Sequence, residues 1–308
     1  MNPEKYPAAH REILREYERH LVTNRGLTSS SVEQVIWHVS LFLSTRYGER
    51  LPDLGALAPH EVVKYVAGLP PHGAARTRRH TVTSLRGFFR WLNLGGRCDS
   101  SLAGAAPTIS HMRYSGIPAH VSPSQLSAML KSFDLGSPIG LRGYAAALCM
   151  SRLGLRVGEV ARLTLDDIDW RNGTIRLTTT KGRRERVLPL PHAVGRALVE
   201  YLRKGRPKTD DRHVFINHRP SGMKPPHTGA LRADVRYAFA RAGTGAPSCG
   251  TRVLRHTAAT NMLRGGATMK EIADVLGHKN IDTTCIYAKV DIPALAELAA
   301  HWPKEVQA

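Results

Sequence analysis

The chain has 308 residues, of which 42% are hydrophobic and 22% are charged. This length suits two domains, and this hydrophobic fraction excludes a disordered chain because it is enough to build buried cores. The 44 Lys and Arg residues outnumber 25 Asp and Glu, which gives a formal charge of +19 and predicts a polyanionic partner, nucleic acid before a membrane. A generally basic surface from a GC-rich genome is the alternative, since composition alone does not separate the two.

The cysteines and the first ten residues narrow the class of protein further. Cys98, Cys149, Cys249 and Cys285 are far apart and form no C-x-x-C pair, which argues against structural zinc and a disulfide framework. Residues 1–10 have no apolar signal core, and no apolar run is long enough to span a membrane. We therefore expect a cytoplasmic, nucleoid-associated protein that needs no metal or other cofactor and contacts no membrane.

Hydrophobic spacing predicts helices throughout the first third of the chain. The first covers Arg11 to Thr23, and a capping-box pattern at Ser30-x-x-Glu33 opens the second. A shorter helix follows Pro59, and another, with a basic start and an apolar end, runs from near Ala74 to Leu92. The basic start predicts phosphate contacts, with a solvated basic face as the alternative. Its residues are Arg76, Arg78 and Arg79.

The helical periodicity stops between Gly95 and Pro118, where Gly, Ala, Ser and Pro accumulate. Such a composition is typical of an interdomain linker. At Ser122-Pro123-Ser124-Gln125 a cap residue, a first-turn proline and a Gln at the third position predict a new helix. We therefore expect a first domain at 1–112, a linker at 113–120 and a second domain at 121–308.

The second domain is predicted to begin with helices and to continue into a small β region. Helices extend to about Gly154, and strands are predicted at Thr174–Thr180 and Arg186–Leu190. The turn between the strands is basic and includes Lys181, Arg183 and Arg184. We expect Arg183 and Arg184 to contact DNA, although a solvated basic hairpin is the alternative for the whole turn.

Helical patterns then return and fill most of the remaining chain. A helix over Ala193–Lys204 and a short strand over His213–Asn217 precede four further helical segments. The last of these holds Ile281–Val290, and Ala294–Ala300 is expected to form a small helix after it. The predicted fold class is therefore mainly α with an α+β second domain: a helical bundle, then a mostly helical domain with a small antiparallel sheet.

Four separated segments contain the candidate catalytic residues. The first is Gly154-Leu155-Arg156-Val157-Gly158-Glu159, and the second is Thr180-Lys181-Gly182 in the predicted hairpin. The third is Thr251-Arg252-Val253-Leu254-Arg255-His256-Thr257. The last is Leu276-Gly277-His278, followed by Thr283-Thr284 and Tyr287.

In order and spacing these segments resemble the tyrosine recombinase family, which includes phage integrases and Xer-type proteins. The likeness covers most of the second domain, whereas the first resembles the family's SAM-like core-binding domain only in length, helix count and charge. The resemblance implies site-specific recombination of duplex DNA through a 3′-phosphotyrosyl intermediate. It assigns the catalytic set to Arg156, Lys181, Arg252, Arg255, His278 and Tyr287.

The chemistry of the positive residues agrees with this resemblance. Cleavage of a phosphodiester places negative charge on the non-bridging oxygens of a pentavalent phosphorus. The guanidiniums of Arg156 and Arg255 can clamp those oxygens in a planar, bidentate way that lysine cannot copy. His278 can donate a further hydrogen bond to them, and Glu159 is expected to orient Arg156 or the lysine turn.

Tyr287 and Lys181, the two residues expected to lose or give a proton, also agree with the resemblance. A Tyr287 nucleophile keeps the bond energy in a phosphotyrosyl ester, so the strands rejoin without ATP. Lys181 on its basic turn can protonate the leaving 5′-oxygen, and no step needs a metal.

Arg252 departs from the family pattern, which usually has histidine at this position. Arginine stays protonated and cannot act as a base. Three interpretations are open. Arg252 lowers the pKa of Tyr287 while water takes the proton; His256, one helical turn later, replaces the histidine; or activity is reduced, or the motif is misaligned.

Recombination between two duplexes requires four strand exchanges, so we expect a homo-tetramer on synapsed double-stranded DNA, with a second recombinase or an accessory protein as a further partner. In related enzymes the C-terminal segment docks on a neighbour, and residues 293–300 are the matching stretch here.

The alternatives to a recombinase are a type IB topoisomerase-like enzyme, a DNA-binding protein that has lost cleavage, and an RNA-binding module. The sequence does not distinguish integration, excision, transposition and dimer resolution.

Overall fold

The computed structural model describes residues 6–70, 75–108, 119–178, 185–218, 225–226, 228–246, 250–278 and 280–290. The chain divides into two compact units, Met1–Arg113 and Tyr114–Ala308. The linker predicted at 113–120 lies mostly outside the described residues. Among the helices that are described, none combines the length and the hydropathy that a membrane span requires.

The first unit is a helical bundle built around aromatic side chains. Tyr17 packs edge-on against Phe88, and Phe42 packs in the same way against Phe89, which is fully buried. The predicted helices are confirmed, with a further short helix after them. The described helices are α1 (Arg11–Thr23), α2 (Ser29–Tyr47), α3 (Pro59–Ala67), α4 (Ala75–Leu94) and α5 (Ser101–Ala105).

Two details of the first unit were predicted wrongly. Helix α2 begins at Ser29, with Thr28 in extended backbone as its cap, so the box expected at Ser30-x-x-Glu33 does not open the helix. The stretch expected to be linker from Gly95 onwards contains α5. Leu102 is fully buried in the core, and Ala103 and Ala105 pack against the core beside it, but a helix of five residues is too short to show a periodicity in the sequence.

The second unit begins with three helices and a small antiparallel sheet. The described sheet has the order β1-β2-β3, and Ile175 in its centre pairs with Ile168 on one side and Leu188 on the other. Strand β1 was not predicted, because two residues are too few for an alternating pattern. These elements are α6 (Pro123–Lys131), α7 (Pro138–Arg152), α8 (Val157–Arg162), β1 (Ile168–Asp169), β2 (Thr174–Thr178) and β3 (Glu185–Pro189).

The rest of the unit is helical, as predicted, with two corrections. Residues 213–217 form no strand: His213 makes an isolated bridge with Thr164, and Val214, Phe215 and Ile216 are all buried instead of alternating. The segment Ile281–Val290 forms two 3-10 helices, Ile281–Thr283 and Cys285–Val290, in place of one α-helix. The helices before it are α9 (His192–Glu200), which continues into a π-helical turn (Tyr201–Gly205), α10 (Thr228–Ala242), α11 (Thr251–Arg264) and α12 (Met269–Leu276).

Helix α7 is the centre of this core. It is buried almost all round and packs against α9, α10 and α11. Its one buried charge, Arg142, makes a two-pronged ion pair with Asp234 of α10, with Nη2 and Nε at 2.9 and 3.2 Å from Oδ2. Burial raises the pKa of the Asp234 carboxyl, and the guanidinium of Arg142 opposes that rise.

We expect Arg142→Met to lower the free energy of unfolding by about 3 kcal/mol, because it leaves a buried carboxylate unpaired. The paired variant Arg142→Met/Asp234→Leu should recover most of that loss, since it removes the orphaned charge as well. Urea unfolding of both proteins measures the difference. A double variant less stable than the single one would contradict this account of the pair.

Candidate active site

Helix α11 supplies two arginines and a histidine of the site. Arg252 and His256 are four residues apart and therefore lie on one face, with Arg255 beside them. Arg252 is exposed, His256 is half-buried and Arg255 is 7% exposed. The helix thus presents side chains at three depths to one region of the second unit.

Arg255 is held in position by two backbone carbonyls. Its Nη1 donates to the oxygen of Gly154 at 2.6 Å, and its Nη2 donates to the oxygen of Leu276 at 2.8 Å. Burial and the nearby Arg156 lower the pKa of Arg255 to about 10, so the group remains a cation at neutral pH. The two carbonyls therefore fix the plane of the buried Arg255 guanidinium.

Arg156 precedes α8 and is tied to Glu159. The backbone N–H of Arg156 donates to Oε2 at 2.8 Å, and Nη1 donates to Oε1 at 2.9 Å. The same carboxylate accepts a hydrogen bond from Arg186 Nη2 at 3.0 Å. Burial alone raises the pKa of Glu159, but the guanidiniums of Arg186 and Arg156 and the backbone N–H hold it below its usual value.

Arg186 was not among the predicted site residues. Its side chain is only 10% exposed, and its Nε and Nη1 have no hydrogen-bond partner. A basic residue at the start of β3, within a basic stretch, gave no signal to separate it from its neighbours. It adds a third guanidinium beside Arg156 and Arg255.

His278 follows the left-handed residue Gly277 at the end of α12. Its Nδ1 lies 2.7 Å from Thr284 Oγ1, and Arg156 Nη2 donates to the carbonyl of Gly277 at 3.4 Å. Burial, followed by the charges of Arg255 and Arg156, lowers the pKa of His278 to about 4. The imidazole is therefore neutral at neutral pH. A capping box between Thr268 and Glu271 opens α12.

Tyr287 is 1% exposed and lies at the end of a hydrogen-bonded chain. Its Oη is 2.8 Å from His256 Nδ1, and Arg252 Nε donates to His256 Nε2 at 3.1 Å. Burial raises the pKa of Tyr287, while Arg255, Arg252 and Arg156 act in the opposite direction. Burial, then Arg252 and Arg255, lower the pKa of His256 to about 4.

A cleft of about 840 Å³ connects these groups. Helix α10 contributes Arg232 and Arg236, whose spacing of four residues on one helix face was a signal that the sequence analysis did not use. No Asp or Glu is among the described residues that line the cleft, so its wall is strongly positive. Its polar and charged lining residues are Arg156, Arg232, Arg236, Thr251, Arg252, Arg255, His256, His278, Thr283 and Tyr287.

Several predicted residues are either outside the described residues or in the first unit. Lys181, Arg183 and Arg184 lie outside the described residues, as does the side chain of Arg76. Arg78 and Arg79 belong to α4 of the first unit, and both are half-buried. Arg78 Nε is buried without a hydrogen-bond partner. In the part of the chain that is described, no group of three or more His, Cys, Asp or Glu is arranged to hold a metal ion.

The sequence matches the model of a known family over residues 120–292, which is described as the phage integrase family. A putative integrase/recombinase of Sinorhizobium fredii is 39% identical over 301 residues, which are 98% of this chain and 73% of that protein. The tyrosine recombinase XerD of Listeria monocytogenes is 28% identical over 286 residues, 91% of this chain and 94% of the relative.

Solved structures of low sequence identity have the same fold. A lambda integrase dimer bound to a COC′ core site matches with a TM-score of 0.72 at 15% identity, covering 95% of this chain and 97% of that one. The XerH site-specific recombinase bound to its palindromic difH substrate matches with a TM-score of 0.70 at 18% identity, covering 98% and 86%.

Gly277→Ala should destabilise the protein more than Gly266→Ala. Both glycines have positive φ, +61° and +87°, so both substitutions strain the backbone. A methyl group at position 277 would also overlap Arg186 Nη1, whereas nothing lies within 4 Å of the corresponding position at 266. We expect an additional loss of about 1 kcal/mol for Gly277→Ala from the displaced Arg186–Glu159 ion pair. If urea unfolding gave the same loss of stability for both variants, Arg186 would be able to move away from position 277 at no cost in free energy.

Proposed function

This chain belongs to the phage integrase family and is a tyrosine recombinase, an enzyme of site-specific DNA recombination, and we propose that Tyr287 is its nucleophile. The observation that carries the proposal is a single cleft lined by the Tyr287 hydroxyl, two fixed guanidiniums and His278. These are the groups that attack on a phosphodiester requires. The cleft also contains no carboxylate, among its described lining, that would repel a phosphate.

In this mechanism Arg255 and Arg156 bind the two non-bridging oxygens of the scissile phosphate. Two carbonyls hold Arg255, and Glu159 holds Arg156, so their N–H groups need little reorganisation as negative charge develops. His278 Nδ1 and Thr284 Oγ1 are 2.7 Å apart, and with the hydroxyl as the donor the Nε2–H of His278 is left to donate to the same phosphate.

The bonds that form and break in this reaction balance, so it needs no external energy source. The Tyr287 oxygen bonds to phosphorus, the bond from phosphorus to the 5′-oxygen breaks, and that oxygen takes a proton from the ammonium of Lys181. Strand rejoining is the reverse, with a 5′-hydroxyl as the nucleophile. Lys181 belongs to the segment 179–184, which joins β2 and β3, and its role rests on the sequence pattern.

We propose double-stranded DNA in the cytoplasm as the substrate and a homo-tetramer on synapsed sites as the active assembly. The structural relatives were solved on their DNA sites, one of them as a dimer, which supports DNA binding by this chain. Residues 293–300, outside the described residues, are the candidate for docking on a neighbouring protomer. A second recombinase or accessory protein and nucleoid association are further parts of this proposal.

The nucleophile is tested with supercoiled plasmid that carries the DNA flanking the protein's own gene. Wild type should form an SDS-resistant protein–DNA adduct, and Tyr287→Phe should reduce its amount at least a thousandfold, roughly, because no other group can form the ester. Tyr144→Phe, which removes a half-buried hydroxyl away from the cleft, is the matched control and should leave the adduct unchanged.

Other outcomes of that experiment identify the alternatives. An adduct from Tyr287→Phe would assign the chemistry to another residue. Tight DNA binding by wild type without any adduct, on all flanking segments, would favour a protein that has lost cleavage. Relaxation of plasmids that carry no paired sites would indicate a topoisomerase-like enzyme instead.

The basic face of α10 is expected to contact DNA phosphates through Arg232 and Arg236. Each phosphate contact adds about −0.9 to the slope of log K against log salt, so Arg232→Gln/Arg236→Gln should flatten this slope by about 2. Arg196→Gln, on the exposed face of α9 and outside the cleft, is the control and should leave it unchanged. Fluorescence anisotropy with a duplex from the flanking DNA measures both, and an unaltered slope in the double variant would exclude these contacts.

A further inference from the structure

We infer that Arg252 acts on Tyr287 through His256: it fixes the proton of the imidazole on Nδ1, so that His256 donates a hydrogen bond to the nucleophile and does not remove its proton. The inference deepens the proposed function and rests on Tyr287 being the nucleophile. It makes His256 a catalytic residue in contact with the reacting oxygen, and Arg252 the residue that positions its proton.

The direction of the hydrogen-bonded chain follows from what each group can do. A guanidinium has only donors, so Arg252 Nε–H, 3.1 Å from His256 Nε2, requires a lone pair on that nitrogen. A neutral imidazole has one N–H, which must then be on Nδ1. Since Nδ1 is 2.8 Å from Tyr287 Oη, its proton points at the phenolic oxygen.

The surroundings of His256 keep it neutral. The charged and titratable groups that face it are Arg252 and Arg255 of its own helix, His120, His278 after α12, and Tyr287. With its pKa near 4, His256 is uncharged at neutral pH. A second proton would have to sit on Nε2, where it would face the N–H of Arg252, so the geometry also opposes the charged form.

This arrangement excludes His256 as the group that takes the phenolic proton. Both nitrogens of His256 are occupied, one by an accepted hydrogen bond and one by its own proton. In this proposal solvent water takes the Tyr287 proton, and the phenolate that remains attacks the phosphorus. The hydrogen bond from Nδ1 strengthens as its acceptor becomes negative, so it stabilises the phenolate more than the phenol. It opposes the effect of burial, which disfavours the charged form.

The tautomer is directly observable in free protein. Nitrogen-15 NMR of histidine-labelled protein, with His256 assigned by the His256→Asn variant, should show the neutral Nδ1–H form in the wild type. Arg252→Met removes the donor at Nε2, and the Nε2–H form should replace it, with Nδ1 now accepting from Tyr287. An Nε2–H form in the wild type, or no change in Arg252→Met, would overturn the inference.

The functional consequence is measured as the rate of covalent adduct formation. His256→Leu and Arg252→Met should each slow it by about ten- to a hundredfold, the usual worth of a hydrogen bond to a charged group. His256→Asn has the size of the leucine variant but keeps an N–H near the position of Nδ1, so it should regain most of the rate. Arg252→Met should cost much less in the His256→Asn background, because an amide has no tautomer to fix.

Two results separate this inference from the proposed function. If Tyr287 is not the nucleophile, Tyr287→Phe still forms an adduct, and the NMR measurement still reports the tautomer. If Tyr287 is the nucleophile but the inference is wrong, wild type forms the adduct while the effects of Arg252→Met and His256→Leu multiply independently. Unfolding curves of each variant, expected near wild type, exclude loss of folding as the cause, and rates measured at saturating DNA exclude loss of binding.

Discussion

The guanidinium of Arg255 joins parts of the second unit that are far apart in the chain. One of its carbonyl partners, Gly154, is 101 residues away, in the turn after α7, and the other belongs to the last turn of α12. The carbonyls of a last helical turn have no partner within their own helix. A buried cation needs hydrogen-bond acceptors, and these carbonyls need donors, so each satisfies the other. Folding of the helical core and assembly of the phosphate-binding site are therefore one process.

The site holds more positive charge than its own residues neutralise. Glu159 is shared between Arg156 and Arg186, and among the described residues Arg255 donates to two backbone carbonyls and to no carboxylate. Repulsion among these groups contributes to the lowered pKa values of Arg255 and His278. A folded protein maintains such an excess only at a cost in stability, and an anionic ligand relieves it. An excess of positive charge of this kind suits a site that binds a phosphodiester and stabilises the negative charge of its transition state.

The helices and the hairpin strands were predicted because each rests on a local pattern, whereas the residues expected in the cleft came from the resemblance of four separated segments to a known family. What the sequence could not predict depends on contacts between distant segments. Arg186 is distinguished from its basic neighbours only by its burial beside Glu159. The spacing of Arg232 and Arg236 places them on one helix face, but only the packing of α10 shows that this face lines the cleft. The expected strand over His213–Asn217 failed because burial of three consecutive residues, rather than alternation, shaped that segment.

The arginine at position 252 is the clearest case of a residue whose meaning changes with its neighbour. Taken alone, a permanent cation where the family usually has histidine suggests a loss of proton transfer. In contact with His256 it does something that no lone residue can do, since an imidazole is equally able to offer a proton or a lone pair at Nδ1. The donor-only chemistry of arginine removes that choice. Burial raises the pKa of Tyr287, and the positive charge of Arg252 opposes that rise by acting on the phenolate through space. The hydrogen bond from His256 and the charge of Arg252 therefore both favour the ionised form of Tyr287. An arginine at position 252 is thus compatible with an active enzyme in which water, rather than a side chain, accepts the proton.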